Sequence, residues 1–285
     1  MTDSIEATRP RFTLPRGACD THCHVIGPAC SFPYAASRPY TPEEETDKLV
    51  LSTLHERLGI DRAVIVQATV YATDNRIVLD AIADRPHARR GVALVETSIS
   101  DHALQTLHEG GIRGVRFGFV RHLWTPPDPA EFRNLMHRIA ELGWHVSLHL
   151  DATALGELQP MLDALPVPFL IDHMGRIDAA AGLEQPGFAQ LLEWARRDHC
   201  WIKLSALDRI SATGTPFVDA APFVRAVLAA SPERVLWGTD HPHPNPRHPV
   251  LHDESLVDVL PLCGDDHALY KMLVANPARL YGFVD

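Results

Sequence analysis

The sequence predicts a single (β/α)8 barrel. Eight short apolar runs alternate strictly with longer amphipathic stretches, the 285 residues suit one barrel of about 250, and no linker, repeat or low-complexity tract divides the chain. Residues 1–16 read as an N-terminal extension and 17–285 as the barrel domain. In order, the apolar runs occupy 18–25, 63–68, 91–95, 114–119, 145–150, 169–173, 201–204 and 235–239. Each is short and nearly continuously apolar, as a parallel strand buried on both faces requires. The intervening stretches 43–58, 75–83, 101–109, 129–142, 156–164, 187–197, 222–230 and 253–260 read as the helices that cover such strands, and 265–274 closes the chain.

An open doubly wound sheet shares this alternation. Two features disfavour it. No G-x-G-x-x-G follows the first run, and ionisable residues end runs one, five, six and eight, which a closed barrel gathers at one mouth.

With 46% hydrophobic and 22% charged residues, the chain has the balance of a globular protein with one large core. Its 26 Lys and Arg against 36 acids give a net charge of −10, which lacks the footprint of nonspecific binding to nucleic acid or an anionic membrane. Neither is an expected partner. Only 3 of those cations are Lys, so any local basic pocket is built from arginine. The 17 His are the excess to explain, since imidazole binds metals and moves protons near neutral pH. Cys19, Cys23, Cys30, Cys200 and Cys263 form no C-x-x-C and no disulfide framework, which points to a reducing compartment. Without an apolar leader or a membrane-length apolar stretch, a cytoplasmic location is expected.

The chemistry concentrates at the ends of the predicted strands. Asp20-Thr21-His22-Cys23-His24 closes the first, and alternation puts Asp20, His22 and His24 on one side. His149 ends the fifth and His173 the sixth, while Asp240 follows the eighth in Trp237-Gly238-Thr239-Asp240-His241-Pro242-His243. A carboxylate there can ligate a metal or deprotonate water. His55, His87, His102, His108 and His137 fall on helices or loops and read as solvated. His241 and His243 repeat the H-x-H spelling, but each precedes a proline, which makes an extended loop; His241 is a candidate for the rim of the mouth.

H-x-H after strand one, His after strands five and six and Asp after strand eight resemble the amidohydrolase superfamily. Within it the chain is similar to the 2-pyrone-4,6-dicarboxylate lactonases and their relatives from Gly17 to Tyr281, in GACDTHCHVIGP, VIVQATVYATDN, LHEGGIRGVRFGF, LPVPFLIDHMGR, WGTDHPHPN and KMLVANPARLYG. The resemblance implies hydrolysis of a small anionic lactone from aromatic-ring breakdown, with Asp240 activating water and His22, His24 and His173 polarising the ester carbonyl. Arg116 and Arg209 would grip the substrate's acidic groups, and Tyr40, Gln67, Thr69 and Asn245 are further polar candidates.

Two departures from the family pattern stand out. His149 replaces a strand-five aromatic, so His22, His24, His149 and Asp240 together read as a site for one divalent ion, Zn2+ or Mn2+. After strand four the paired-arginine position reads His122, with Arg121 beside it and Gly118 in place of an amide residue, so one carboxylate clamp is altered. The alternatives are a zinc-dependent lactonase for sulfonated muconolactones or sugar lactones, a metal-dependent decarboxylase of the same superfamily, and a non-enzymatic binding module.

Overall fold

A computed structural model describes residues 9–120, 123–244, 246–250 and 252–284. All eight predicted strands form, as β1 (Cys19–Cys23), β2 (Arg62–Val66), β3 (Arg89–Ala93), β4 (Ile112–Gly118), β5 (His145–His149), β6 (Phe169–Ile171), β7 (Cys200–Leu204) and β8 (Val235–Trp237). They lie in sequential order, each parallel to the next. The circle closes through a short seam. Asp240 N donates to His22 O at 2.7 Å, His24 N to His241 O at 2.8 Å, and the Thr21 hydroxyl to Trp237 O at 2.7 Å. Strand order and seam make the fold a (β/α)8 barrel and exclude the open sheet.

The covering helices are α1 (Lys48–Leu58), α2 (Arg76–Asp84), α3 (Asp101–Glu109), α4 (Pro129–Glu141), α5 (Leu155–Asp163), α6 (Pro186–Ala195), the short α7 (Leu207–Ile210), α8 (Ala221–Ala230), α9 (Glu254–Asp258), α10 (Asp266–Tyr270) and α11 (Asn276–Tyr281). Helix α1 starts later than position 43 because Thr46 pairs with Ile26 in an antiparallel bridge. Asp47 then caps it, accepting from Leu49 N and Val50 N at 2.9 and 3.0 Å. The final helix runs past 274, through a π turn at Lys271–Ala275, to Tyr281.

Strands β6 and β8 each stop two residues short of the expected end. His173, Met174 and Asp240 adopt left-handed backbone with φ of 53°, 47° and 64°. That conformation costs an L-residue about 1–3 kcal/mol, and it occurs where the chain carries the ionisable side chains of the mouth.

A large apolar cluster, including Ile65, Val146, Leu135 and Leu191, lies between strands and helices. A smaller one, of Cys19, Val64, Val92, Leu170 and Leu236 with Tyr281 and Phe283, uses alternate strand positions and fills the barrel interior at its base. The polar residues His22, Asp172 and Lys203, all 0% exposed, give the interior an ionic layer as well. All five cysteines are free. Among the described residues, no helix is long and apolar enough to cross a membrane.

Candidate active site

The seam between β8 and β1 brings His22 and His24 against Asp240. Asp240 Oδ1 faces His24 Nε2 at 3.4 Å, His22 Nε2 at 3.5 Å and His173 Nε2 at 3.9 Å, and Oδ2 pairs with Arg209 Nη2 at 2.9 Å. Burial would raise the Asp240 carboxyl, but Arg209 and the histidines outweigh it and hold it well below the usual carboxylate range. Burial drives the imidazoles the other way: His22 falls to about 3, helped by Lys203, and His173 falls well below its ordinary value. The centre sets one ionised carboxylate beside His22 and His173, which burial keeps neutral.

Beneath it lies a second ionic layer. Asp172 accepts from Arg116 Nε at 2.8 Å and from the Ser147 hydroxyl at 2.7 Å, with Lys203 Nζ at 3.5 Å. Lys203 Nζ also approaches His22 Nδ1 at 3.3 Å. These contacts decide where the ring protons sit. An ammonium can only donate; at 3.3 Å it lies nearer His22 Nδ1 than Asp172 Oδ1 does at 3.5 Å, which favours Nδ1 as acceptor and the ring proton on Nε2, toward Asp240. His24 Nδ1 meets the Val66 carbonyl at 2.8 Å and must donate, which leaves a lone pair on Nε2. His173 donates from Nδ1 to Ser205 Oγ at 2.8 Å, and its Nε2 faces the Arg116 guanidinium at 3.4 Å. Of the three rings, only His22 presents an N–H to the centre.

Among the described residues, His22 Nε2 and Asp240 Oδ1 have no hydrogen-bond partner. With His24 Nε2 they lie within 4.8 Å of one another, a nitrogen and oxygen donor set that suits a divalent ion. The structure does not bring His149 into that set. Its Nδ1 accepts from Trp124 Nε1 at 3.1 Å and its Nε2 lies 3.5 Å from Arg176 Nη1, so each ring nitrogen faces a donor. His149 is not among the residues whose ligand atoms gather around Asp240. The Trp124 indole occupies the space beside Gly118, where an added Cβ would come within 1.9 Å of it.

The mouth is a cavity of about 100 Å3 lined by His24, Tyr40, Thr69, Arg116, Trp124, His149, His173, Arg209 and Asp240, among others. Gln67, expected there, is not among its lining residues: its amide holds the turn after β2 through the carbonyls of Ala72 and Asp74 at 3.3 and 2.7 Å. Arg121, His122 and Asn245 lie outside the described residues. His55, read as solvated, is 5% exposed and meets Asp20 at 3.2 Å. Asp20 in turn accepts from His22 N, Thr239 N and the Thr239 hydroxyl, bracing the seam rather than facing the mouth. His241 is absent from the cavity wall and approaches Asp253. Asp172, Lys203, Ser205 and Trp124 were not anticipated. Lys203, a lone cation inside an apolar strand, was the one that left a signal.

A buried aspartate among imidazoles at the mouth of a (β/α)8 barrel defines a hydrolytic type of centre. The chain belongs to the amidohydrolase family, whose model matches residues 19–283. It is 44% identical to a 2-pyrone-4,6-dicarboxylate hydrolase of Comamonas testosteroni, over 96% of this chain and 93% of that one. It is 39% identical to a 4-sulfomuconolactone hydrolase of Rhizobium radiobacter, over 96% and 92%. A crystal structure from Agrobacterium tumefaciens superposes with a TM-score of 0.84 at 27% identity, covering 96% of this chain and 99% of that one.

Proposed function

We propose that this chain is a lactone hydrolase that opens a small anionic lactone of the 2-pyrone-4,6-dicarboxylate type in the breakdown of aromatic compounds. The observation that carries the reading is Asp240, with one oxygen free among the imidazoles and the other held by Arg209. The 44% identity to a hydrolase of such a lactone supports it.

The geometry gives each residue a task. A water between His24 Nε2 and Asp240 Oδ1 donates one hydrogen to each, and Asp240 removes its proton as the oxygen attacks the ester carbonyl. The oxyanion is received by His22 Nε2–H, with Arg116 nearby. The ring C–O bond then breaks, and the proton on Asp240 passes to the departing oxygen. Arg209 makes the base conditional on substrate. While paired with Oδ2 it keeps Asp240 weakly basic; a substrate carboxylate that draws Arg209 away raises the proton affinity of Asp240 as the substrate arrives. Tyr40 and Thr69 complete the wall around the ring.

A second reading, a zinc-dependent hydrolase of a sulfonated muconolactone, is favoured by the His22, His24 and Asp240 donor set and by the 39% relative. A divalent ion held by those residues would supply Lewis acidity toward water and carbonyl. His22 would then carry its proton on Nδ1, toward Asp172 Oδ1 at 3.5 Å. The test is a panel of dicarboxylate, sulfonated and sugar lactones at fixed pH, with and without Zn2+ or Mn2+, run beside Asp240→Asn protein. We expect opening of a dicarboxylate lactone and a loss of roughly 10³-fold in kcat/KM for the variant. Opening of no lactone, or release of carbon dioxide instead, overturns the reading; wild-type turnover by Asp240→Asn removes Asp240 from it.

A further inference from the structure

The second H-x-H of the chain takes no part in the centre described above. His241 and His243 lie on the segment after β8 and converge on Asp253, which immediately precedes α9. His243 Nε2 is 2.8 Å from Asp253 Oδ1, and His241 Nδ1 is 3.7 Å from the same oxygen. One ligand-type atom from each residue falls within 4.8 Å of the other two. Four-coordinate zinc with bonds of about 2.1 Å separates its ligand atoms by about 3.4 Å, so the three atoms need only small adjustments to share an ion.

Among the described residues, several buried polar atoms here lack hydrogen-bond partners: both ring nitrogens of His241, Nδ1 of His243, and both carboxylate oxygens of the neighbouring Asp208, which is 0% exposed. Unsatisfied buried donors and acceptors are uncommon and call for an ion, a water or a proton. An ordinary ion pair of protonated His243 with Asp253 uses one ring nitrogen and leaves His241 Nδ1, 3.7 Å from the same oxygen, beyond hydrogen-bond distance. His243 also lines a surface cleft of about 390 Å3, which gives solvent ions a route to the group.

From this geometry we infer that His241, His243 and Asp253 form a second divalent-metal site, selective for Zn2+ and similar nitrogen-loving ions, separate from the His22, His24 and Asp240 group. The two imidazoles and one carboxylate leave one coordination position for water, and the mixed ligands exclude the all-oxygen chemistry of Ca2+ and Mg2+. Its effect is on the loop. His243 N donates to Asp240 O at 2.7 Å, and the Pro244 carbonyl accepts from Arg209. An ion that clamps His241 and His243 to Asp253 therefore fixes the segment that carries both Asp240 and a partner of Arg209. The second site would hold its ion whichever reaction the centre performs.

The test measures bound metal rather than activity. Chelator-stripped protein is dialysed against Zn2+ and analysed by elemental analysis, for wild type, His241→Gln, Asp253→Asn and His24→Gln. We expect His241→Gln and Asp253→Asn each to bind about one Zn2+ per chain fewer than wild type, while His24→Gln keeps the ion at the second site. Zn2+ at a hundredfold excess over its Kd should also raise the Tm of His24→Gln by roughly 5 °C or more, and that of Asp253→Asn much less. His241→Gln leaves the 2.8 Å contact of His243 with Asp253 in place, and its Tm without Zn2+ shows whether it folds as the wild type does. Unchanged Zn2+ stoichiometry and affinity in both His241→Gln and Asp253→Asn overturn the proposal, as does a His24→Gln protein that binds no Zn2+.

Discussion

The chain spells H-x-H twice, each time beside an aspartate, and the two groups differ in their electrostatics. Around Asp240, burial keeps His22 and His173 neutral, while Arg209 holds the carboxylate ionised. Around Asp253 the balance turns. Burial would lower His243, but Asp253, with Asp208 and Asp240 beyond it, raises it above its ordinary value, and histidines are what hold Asp253 low. The difference is the arginine. A carboxylate supplied with a guanidinium leaves neighbouring rings free to stay neutral, as hydrogen-bond partners for a reacting carbonyl or water. A carboxylate without one draws a proton or a cation onto the rings.

Asp240→Asn tests the first group most severely, with the roughly 10³-fold loss stated above. Arg209→Met should come next. Losing the substrate's clamp raises KM by roughly 100-fold, and losing the charge on Oδ2 lets the Asp240 carboxyl rise, moving the acid limb of the kcat/KM profile to higher pH. A profile that stays in place would show that Arg209 does not set the basicity of Asp240.

Lys203→Met makes the distinction between the groups sharper. Without the ammonium, His22 Nδ1 is left to Asp172, its proton moves from Nε2 to Nδ1, and the ring becomes a better metal ligand and a poorer donor. Metal-free kcat should fall roughly tenfold while Zn2+ affinity at the centre rises. Nitrogen NMR of the His22 ring reads the tautomer directly, and an unchanged signal would sink the argument.

The smallest effect belongs to the outer group. Because the folded-state value of His243 is raised, its contribution to stability is full below the ordinary histidine range near 6.5 and is lost as pH rises through the folded value. In chelator-treated protein, His243→Gln should therefore lower Tm by about 2 °C near pH 6 and by less above about pH 8. Equal losses at both pH values would mean that His243 carries no charge there.

Most of the barrel was legible because buried parallel strands and amphipathic helices leave distinct periodicities. Runs such as 145–150 and 201–204 were found within a residue or two of β5 and β7. The ends of β6 and β8 were not, because left-handed turns at His173 and Asp240 have no apolar pattern and no glycine at those positions to announce them. His22, His24, His173 and Asp240 could be picked out as ionisable groups at strand ends. The place of His149 could not, because it depends on Trp124, which lies 25 residues away.

The sequence by itself determined the fold class, the family and the mouth at which the ionisable residues meet, because these follow from periodicity and from the order of motifs along the chain. Only the tertiary structure decided which of those residues face one another: that Arg209 sits on Asp240, that Lys203 reaches His22, that His149 is taken up by Trp124, and that His241 and His243 turn to Asp253. Proton positions and metal sites depend on contacts within about 4 Å between segments far apart in the chain, and no local pattern encodes those distances.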